Sequence, residues 1–413
     1  MLMEEPSSIW ELYGLRANPF STNPLLVRGG VIPINCFYGR KEEVERIEKL
    51  FRSGGGTRIL IVGPPGVGKT TFVNFARAKA MKNKYFTPLQ EIKVQPDWNA
   101  DDFVLNTIAA IYSTLKLTGE PKISAKLKPF VDIYEIKDRQ GSISVVGSGG
   151  GYGETRTLHV PKLTSSALLE LFQDTVNDLL KEGHREIIIH YNNLELFEED
   201  EGRLKAILNK IRDFLQTPNV HFVFVGGESL PAVINGVPRV SAIFQDTPIK
   251  LDPLSEEDTS SIIKLRIDEL QIPKLRTVYP CTDEAVSLLY NLYEGNIRAI
   301  LNSLATAILE TVKDTPSTLD DKQIKQVLNS VAKKRFTSKL SPTMQKVLNA
   351  LLAMKIGTNK NLSKELGILP QNMSSYLRDL VNAGCIYLVR TDGRIKYYSV
   401  SDWVKWLTLE PAD

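Results

Sequence analysis

Cysteine is scarce: the 413 residues hold three (Cys36, Cys281 and Cys385), far apart and without a Cys-x-x-Cys pair. That argues against a disulfide framework and a cysteine-ligated zinc site, and favours a reducing compartment with buried or idle thiols. A dominant sign of charge is missing as well. Lys and Arg number 51 against 48 Asp and Glu, a net charge of +3, so any surface for a polyanion must be local. No apolar run reaches the length of a membrane span, and Met1-Leu2-Met3-Glu4-Glu5-Pro6 has neither the basic nor the apolar region of a signal peptide. A cytoplasmic, soluble protein with no membrane partner is expected, long enough for about three domains.

One stretch organises the rest. Ile59, Leu60, Ile61 and Val62 form a wholly apolar run, and Gly63-Pro64-Pro65-Gly66-Val67-Gly68-Lys69-Thr70-Thr71 interrupts it. A helical pattern follows through Phe72, Val73, Phe75 and Ala76. Strand, loop and helix therefore enclose Gly-x-x-x-x-Gly-Lys-Thr over 63–70. Glycines let successive backbone N–H groups turn inward around phosphate oxygens, and the helix adds unpaired N–H groups and its positive dipole end. Lys69 can reach the β- and γ-phosphates, and the Thr70 hydroxyl is placed to ligate Mg²⁺. ATP or ADP with Mg²⁺ is the expected ligand. The alternative is a Gly/Pro turn that happens to carry a lysine.

Upstream, residues 1–34 carry Asn18-Pro19-Phe20 and Asn23-Pro24 and predict an extended N-terminal arm. Phe37-Tyr38-Gly39-Arg40 then enters a helix with acids in its first turn and Val44, Ile47, Leu50 and Phe51 on one face. Buried strands at 91–94, 187–189 and 221–225 alternate with helices over 101–115, 165–180 and 204–215, which implies a parallel sheet covered on both faces. Residues 122–137 are basic and mixed. Alternating runs on either side of a Gly/Ser/Tyr turn predict a β-hairpin insertion near 142–160. Its glycines lack a following lysine and helix, so a second phosphate loop is the weaker reading. After Leu254 the pattern is helical only, from Ser255 as a cap through 319–331, and Lys333-Lys334-Arg335 with Lys339 mark a basic linker. From 341 onward come a helix, a helix-turn-helix with its third helix over 371–383 buried along Met373, Leu377, Leu380 and Val381, and strands around Asp392-Gly393. The divisions are 1–34 arm, 35–252 ATPase core, 253–332 α-helical lid and 333–413 winged helix-turn-helix.

An ATPase of this kind usually ends a buried strand on Asp, with Glu beside it to activate water. Here the strand runs into His190-Tyr191-Asn192-Asn193-Leu194-Glu195. Asn192 and Asn193 stand where carboxylates would, and Glu195 follows two residues on. An amide accepts hydrogen bonds but carries no charge, so weaker Mg²⁺ binding and slow hydrolysis are expected unless Glu195 restores activity. A metal role for His184 or His190 is the minor alternative.

The loop, the aromatic-Gly-Arg element at 37–40, the helical lid and Gly295-Asn296-Ile297-Arg298 together resemble the AAA+ ATPases. Within them the chain is most similar to origin-recognition initiators and to STAND signalling ATPases, over roughly 35–400. The resemblance implies an α/β P-loop NTPase (AAA+-like) core with a lid and a C-terminal winged helix-turn-helix. It implies that Tyr38 and Arg40 belong to a segment packing on adenine, the alternative being an ordinary capped helix. Arg298 matches the sensor-2 arginine that meets the γ-phosphate, unless it is a solvated surface residue. Arg239 lies in a segment like the one that carries a trans arginine finger, which requires self-association. Gly226-Gly227 interrupt the position of a polar sensor-1 residue. In the third helix of the last domain, Gln371, Asn372, Ser374, Ser375 and Arg378 are suited to base edges, and Arg390, Arg394 and Lys396 near the wing to phosphates. Double-stranded DNA is the expected partner, in replication initiation or a mobile-element or regulatory process. The alternative is a STAND-type role with the winged helix contacting a protein.

Overall fold

The computed structural model describes residues 8–140, 164–198, 200–245, 247–337, 340–392 and 394–409. The hairpin expected near 142–160 lies outside them. Five strands, β1 (Arg58–Val62), β2 (Ile92–Lys93), β3 (Ile187–Asn192), β4 (Val220–Gly226) and β5 (Ile249–Lys250), pair in parallel in the order β2-β3-β4-β1-β5. Side chains alternate across a strand, and this sheet divides its apolar residues accordingly. Ile59, Ile61, Ile188, Val223 and Val225 pack under α1 (Lys41–Arg52) and α2 (Lys69–Lys82). Leu60, Ile187, Ile189, Phe222 and Phe224 face the other way, under α3 (Ala100–Thr118), α4 (Ser165–Lys181) and α5 (Glu201–Lys210). Both faces are covered, which is why β3 and β4 are buried along their whole length. The mixed segment after Glu120 is helical, Pro121–Gln140, and the helix expected over 204–215 is broken at Ile211.

The lid comprises α6 (Glu256–Glu269), α7 (Asp283–Tyr293), α8 (Ile297–Thr311) and α9 (Asp321–Thr337). Ser255, Thr282 and Asn296 cap the first three through side-chain oxygens. Lys333, Lys334 and Arg335 fall inside α9 rather than in a linker; no Gly or Pro intervenes, and Ala, Lys and Arg favour helix. The N-terminal segment is also not a free arm. Trp10, Tyr13, Leu15, Phe20 and Leu25 are buried in one core with Ile267, Leu270 and Leu289 of the lid, and Arg16 N donates to Leu270 O at 2.9 Å. Such large aromatics remove too much surface from water to remain outside a core.

The C-terminal domain has α10 (Pro342–Met354), α11 (Asn359–Leu366), α12 (Pro370–Asn382) and a sheet of β6 (Gly357–Thr358), β7 (Ile386–Asp392) and β8 (Ile395–Val400) in the order β6-β8-β7, antiparallel. Val347, Leu348, Leu351, Met373, Leu377 and Leu380 form its core. Val381, expected inside, is exposed at the last turn of α12. Asp392 is paired with Ile395, so it belongs to the strand and not to the turn. The chain then returns to the lid. Trp406 is buried there, its Nε1 donating to Tyr293 Oη at 2.6 Å and Ser303 Oγ at 3.1 Å, while Asn329 Nδ2 donates to its carbonyl. This P-loop core with helical lid and winged helix is the AAA+-like α/β architecture that the sequence implies. Among the described residues no helix is long and apolar enough to cross a membrane.

Candidate nucleotide site and winged-helix face

β1 is held by β4 on one side and β5 on the other, so its C-terminal end, where the loop begins, is fixed in the middle of the sheet. Gly66 has φ +84°, and a Cβ there would stand 2.9 Å from Asn296 Cγ, with Oδ1 closer still. Only glycine suits both the backbone and that approach. Lys69, the first residue of α2, donates through Nζ to Gly63 O (2.7 Å) and Pro64 O (3.0 Å). Burial lowers its pKa; Glu195 opposes that shift and Arg298 adds to it.

Asn192 ends β3 opposite the loop. Thr70 Oγ1 lies 3.0 Å from Asn192 Nδ2 and 3.3 Å from Oδ1, so the expected metal-side pair is together. Asn193 takes a left-handed conformation (φ 69°) and turns the chain into a 3-10 helix, Leu194–Phe197, that brings Glu195 to the cleft. Glu195 Oε2 is buried, with no hydrogen-bond partner among the described residues. Beneath this pair, α2 presents a polar ladder to β3. Asn74 Oδ1 accepts from Arg77 Nη1 at 2.8 Å, and that same nitrogen lies 3.2 Å from His190 Nδ1. Arg77 is fully buried, with its pKa lowered by burial to about 10. Burial, and then Arg77, pushes the His190 pKa well below its ordinary range. His190 is thus a neutral core residue, and among the described residues no cluster of His, Cys, Asp and Glu could hold a metal.

The lid reaches the loop through the start of α8. Asn296 caps the helix by accepting from Ala299 N, donates to Pro65 O at 3.3 Å, and is followed by Arg298 N donating to Gly66 O at 3.4 Å. The Arg298 side chain lines the cleft beside Lys69, Thr70, Thr71, Asn192, Asn193 and Glu195. Two further contributors, Thr22-Asn23-Pro24 of the N-terminal segment and Arg266 of α6, also line it. Sequence patterning missed both: a segment without periodicity and a lone helical arginine carry no local signal. Asn296 as a helix cap was legible from its position before Ile297. Glu198, whose Oε1 accepts from Ser229 Oγ at 2.8 Å, adds a carboxylate near Gly226-Gly227.

The remaining candidates divide. Arg40, left-handed at φ 55°, donates to Val67 O (2.9 Å) and Asp252 O (2.8 Å), so it braces the loop against the core–lid junction. Burial lowers its pKa, and Glu43 opposes that. Tyr38 is exposed and does not line the cleft. Arg239 is exposed on the short helix Pro238–Ser241, away from the cleft of its own chain.

In the winged domain Gln371, Asn372 and Arg378 are exposed on α12. Ser375 is half-buried and accepts from Arg378 Nη2 at 3.4 Å. Ser374 is engaged internally: Oγ donates to Pro370 O (3.0 Å) and accepts from Asn359 Nδ2 (2.7 Å), tying α11 to α12. Arg390 lies 4.4 Å from the centroid of the Tyr397 ring, a cation–π contact that orients its guanidinium on the wing. Arg394 and Lys396 are exposed at the same end of the hairpin.

No known protein-family model matches the chain. It is 21% identical over 401 residues to an uncharacterised HTH-type transcriptional regulator of Methanocaldococcus jannaschii, covering 94% of this chain and 91% of that one. It is 24% identical over 276 residues to the chaperone protein ClpB of Aquifex aeolicus, covering 64% of this chain and 25% of ClpB. Among solved structures, ORC1 of Aeropyrum pernix in complex with DNA aligns at TM-score 0.46 and 15% identity, covering 96% of this chain and 97% of that one. A variant of Thermotoga maritima RuvB aligns at TM-score 0.42 and 13% identity, covering 90% and 96%.

Proposed function

We propose that this chain is an AAA+ ATPase that binds ATP or ADP with Mg²⁺ at the 63–71 loop, hydrolyses ATP slowly, and uses its nucleotide state to set how the winged helix engages duplex DNA. One helix carries the proposal. The N-terminus of α8 touches the loop through Asn296 and Arg298, and Ser303, about two turns on, holds Trp406 of the C-terminal segment together with Tyr293. A change in what the loop holds therefore acts on a helix that also anchors the segment following the wing.

The site suits a nucleotide on its own chemistry. Gly66 leaves no room for a Cβ, the Lys69 ammonium is held by two carbonyl oxygens of the loop itself, and Glu195 keeps a buried carboxylate oxygen that no described residue partners. Thr70 and Asn192 offer adjacent oxygens to Mg²⁺ or its water shell, where the ion would neutralise phosphate charge. Asn192 brings no charge, which favours slow turnover, and Glu195 is the acid that lines the cleft and could orient water. Arg239 could reach a neighbouring copy as a trans finger; turnover that rises with protein concentration, and that Arg239→Ala abolishes, would support this.

Exposed Gln371, Asn372 and Arg378 with Arg390, Arg394 and Lys396 support a DNA face, and the similarity to an HTH-type regulator agrees with it. Protein docking by the same domain draws support from Leu369 (69% exposed) and Ile395 (52%). Anisotropy titration of random duplex over a salt series separates the two: DNA binding by phosphate contact weakens steeply with salt, and no measurable duplex binding at low salt favours docking.

A further inference from the structure

The outer edge of the parallel sheet carries a second groove. β2 is the edge strand and pairs with β3 alone. Val94 N donates to Asn192 O at 3.0 Å, so Ile92 and Val94 turn their backbone groups to β3, and the N–H and C=O of Lys93 face outward, without a partner among the described residues. An edge of this kind is a template for another strand. Beside it lies a cavity of about 720 Å³ that, among the described residues, shares no lining with the nucleotide cleft. Its wall is α3, where the small side chains of Ala109, Ala110 and Ser113 leave room and Leu117 is 71% exposed. Glu91 lines the same cavity. The Glu91 side chain is 4% exposed, makes no hydrogen bond among the described residues, and has its ion partner, Lys93 Nζ, 3.8 Å away on a side chain that is 64% exposed. A carboxylate taken out of water and held so loosely has acceptors to spare.

The edge is also fixed from behind. Arg77 of α2 donates to Thr87 Oγ1 (2.8 Å) and Gln90 O (3.4 Å), and Leu89 N donates to Thr114 Oγ1 (2.9 Å), so a ligand meets a preorganised strand. We propose that this edge docks an extended segment of a partner protein as a further strand, with the pattern apolar-basic-apolar. The segment's backbone pairs with that of Lys93, and alternation across a strand does the rest. One Lys or Arg lies on the side of Glu91 and displaces Lys93 Nζ from the carboxylate. Its two neighbours turn to the side of Ile92 and fill the room along Ala109, Ala110 and Leu117. Exposed Arg28 and Lys93 at the rim repel a polycation, so a single basic residue is the match.

Calorimetric titration of the full chain with acetyl-Thr-Val-Arg-Val-Thr-amide tests it, beside peptides carrying norleucine or Glu in place of Arg and a fully N-methylated copy that has no N–H for the edge. The Arg peptide should bind saturably, the norleucine peptide about 10-fold and the Glu peptide about 100-fold more weakly, the range for a charge-assisted hydrogen bond, and the N-methylated peptide not at all. Glu91→Gln should bring the Arg peptide down to the affinity of the norleucine peptide, and Ala110→Leu, which fills the wall, should weaken both alike. Should Glu91→Gln fail to fold, Ala110→Leu and the N-methylated peptide on wild type still decide. No saturable binding by wild type, or binding that N-methylation and Ala110→Leu leave unchanged, overturns the docking edge. Equal affinity for the Arg and Glu peptides overturns the role of Glu91. Binding that appears only when residues 142–160 are replaced by a Gly/Ser linker, or only in dilute protein, gives the groove to this chain's own segment or to a second copy and overturns the partner.

Discussion

Gly66 and Asn296 provide the sharpest test of the lid–loop contact. In Gly66→Ala the new Cβ meets the Asn296 side chain at a backbone φ of +84°. The left-handed conformation costs an alanine roughly 1–2 kcal/mol, and displacing Asn296 from its cap on α8 costs about 1 kcal/mol more. The single variant should therefore lose about 2–3 kcal/mol. Asn296→Ala alone loses the cap and the bond to Pro65 O, about 1 kcal/mol. In the double variant the cap is already gone and the collision with it, so the loss should be about 2–3 kcal/mol, the strain plus one cap, rather than the 3–4 kcal/mol of a simple sum. Urea denaturation of the four proteins, followed by circular dichroism and by tryptophan fluorescence to resolve the lid transition, measures the coupling. Additive losses would mean that the two residues do not meet and that the lid does not sense the loop through α8.

Three further outcomes are expected. Lys69→Ala should weaken ATP binding severely in calorimetry with little change in the circular dichroism spectrum, because its Nζ bonds to carbonyls of the loop itself; unchanged affinity would refute the site. Asn192→Asp, which adds a charge beside Thr70, should tighten Mg²⁺ dependence and raise steady-state turnover; wild-type turnover of many per second in dilute protein would show that Asn192 is no handicap. His190 stays neutral in the fold because of burial and Arg77, whereas unfolded histidine takes a proton below about pH 6.5. Protons then bind the unfolded state alone, so this contribution is intact above about pH 6.5 and stability falls as pH drops below it. His190→Asn should remove up to one proton, about 1.4 kcal/mol per pH unit, from the slope of stability against pH.

The parts of this molecule that local pattern dictates were legible in its sequence. Apolar runs placed β1, β3 and β4, Gly-x-x-x-x-Gly-Lys-Thr placed the loop, and Ser255 marked a helix start. What escaped depends on contacts between distant segments. Nothing periodic in 9–25 indicates that Trp10 and Phe20 complete the lid core, or that Leu25 closes on Thr71. Arg266 looks like any helical arginine until α6 folds against Ser21. Trp406 is one apolar residue near the end of the sequence, and its contacts with Tyr293, Ser303 and Asn329 reveal that it joins two domains. Ser374 matches the polar face of a recognition helix, yet its hydroxyl is taken by Pro370 and Asn359.

The central claim, that nucleotide at the loop controls the wing's hold on DNA, is tested most directly by fluorescence anisotropy of duplex DNA over a salt series with ATP, with ADP and without nucleotide. The account predicts affinities that differ between ATP and ADP by about 5-fold or more, the usual size of coupling between sites. Lys69→Ala should erase that difference. Changing Arg394 and Lys396 to Ala should flatten the slope of log affinity against log salt by about one to two units, close to 0.9 per phosphate contact. Equal affinities in all three nucleotide states, with a salt slope that the double variant leaves unchanged, would contradict it.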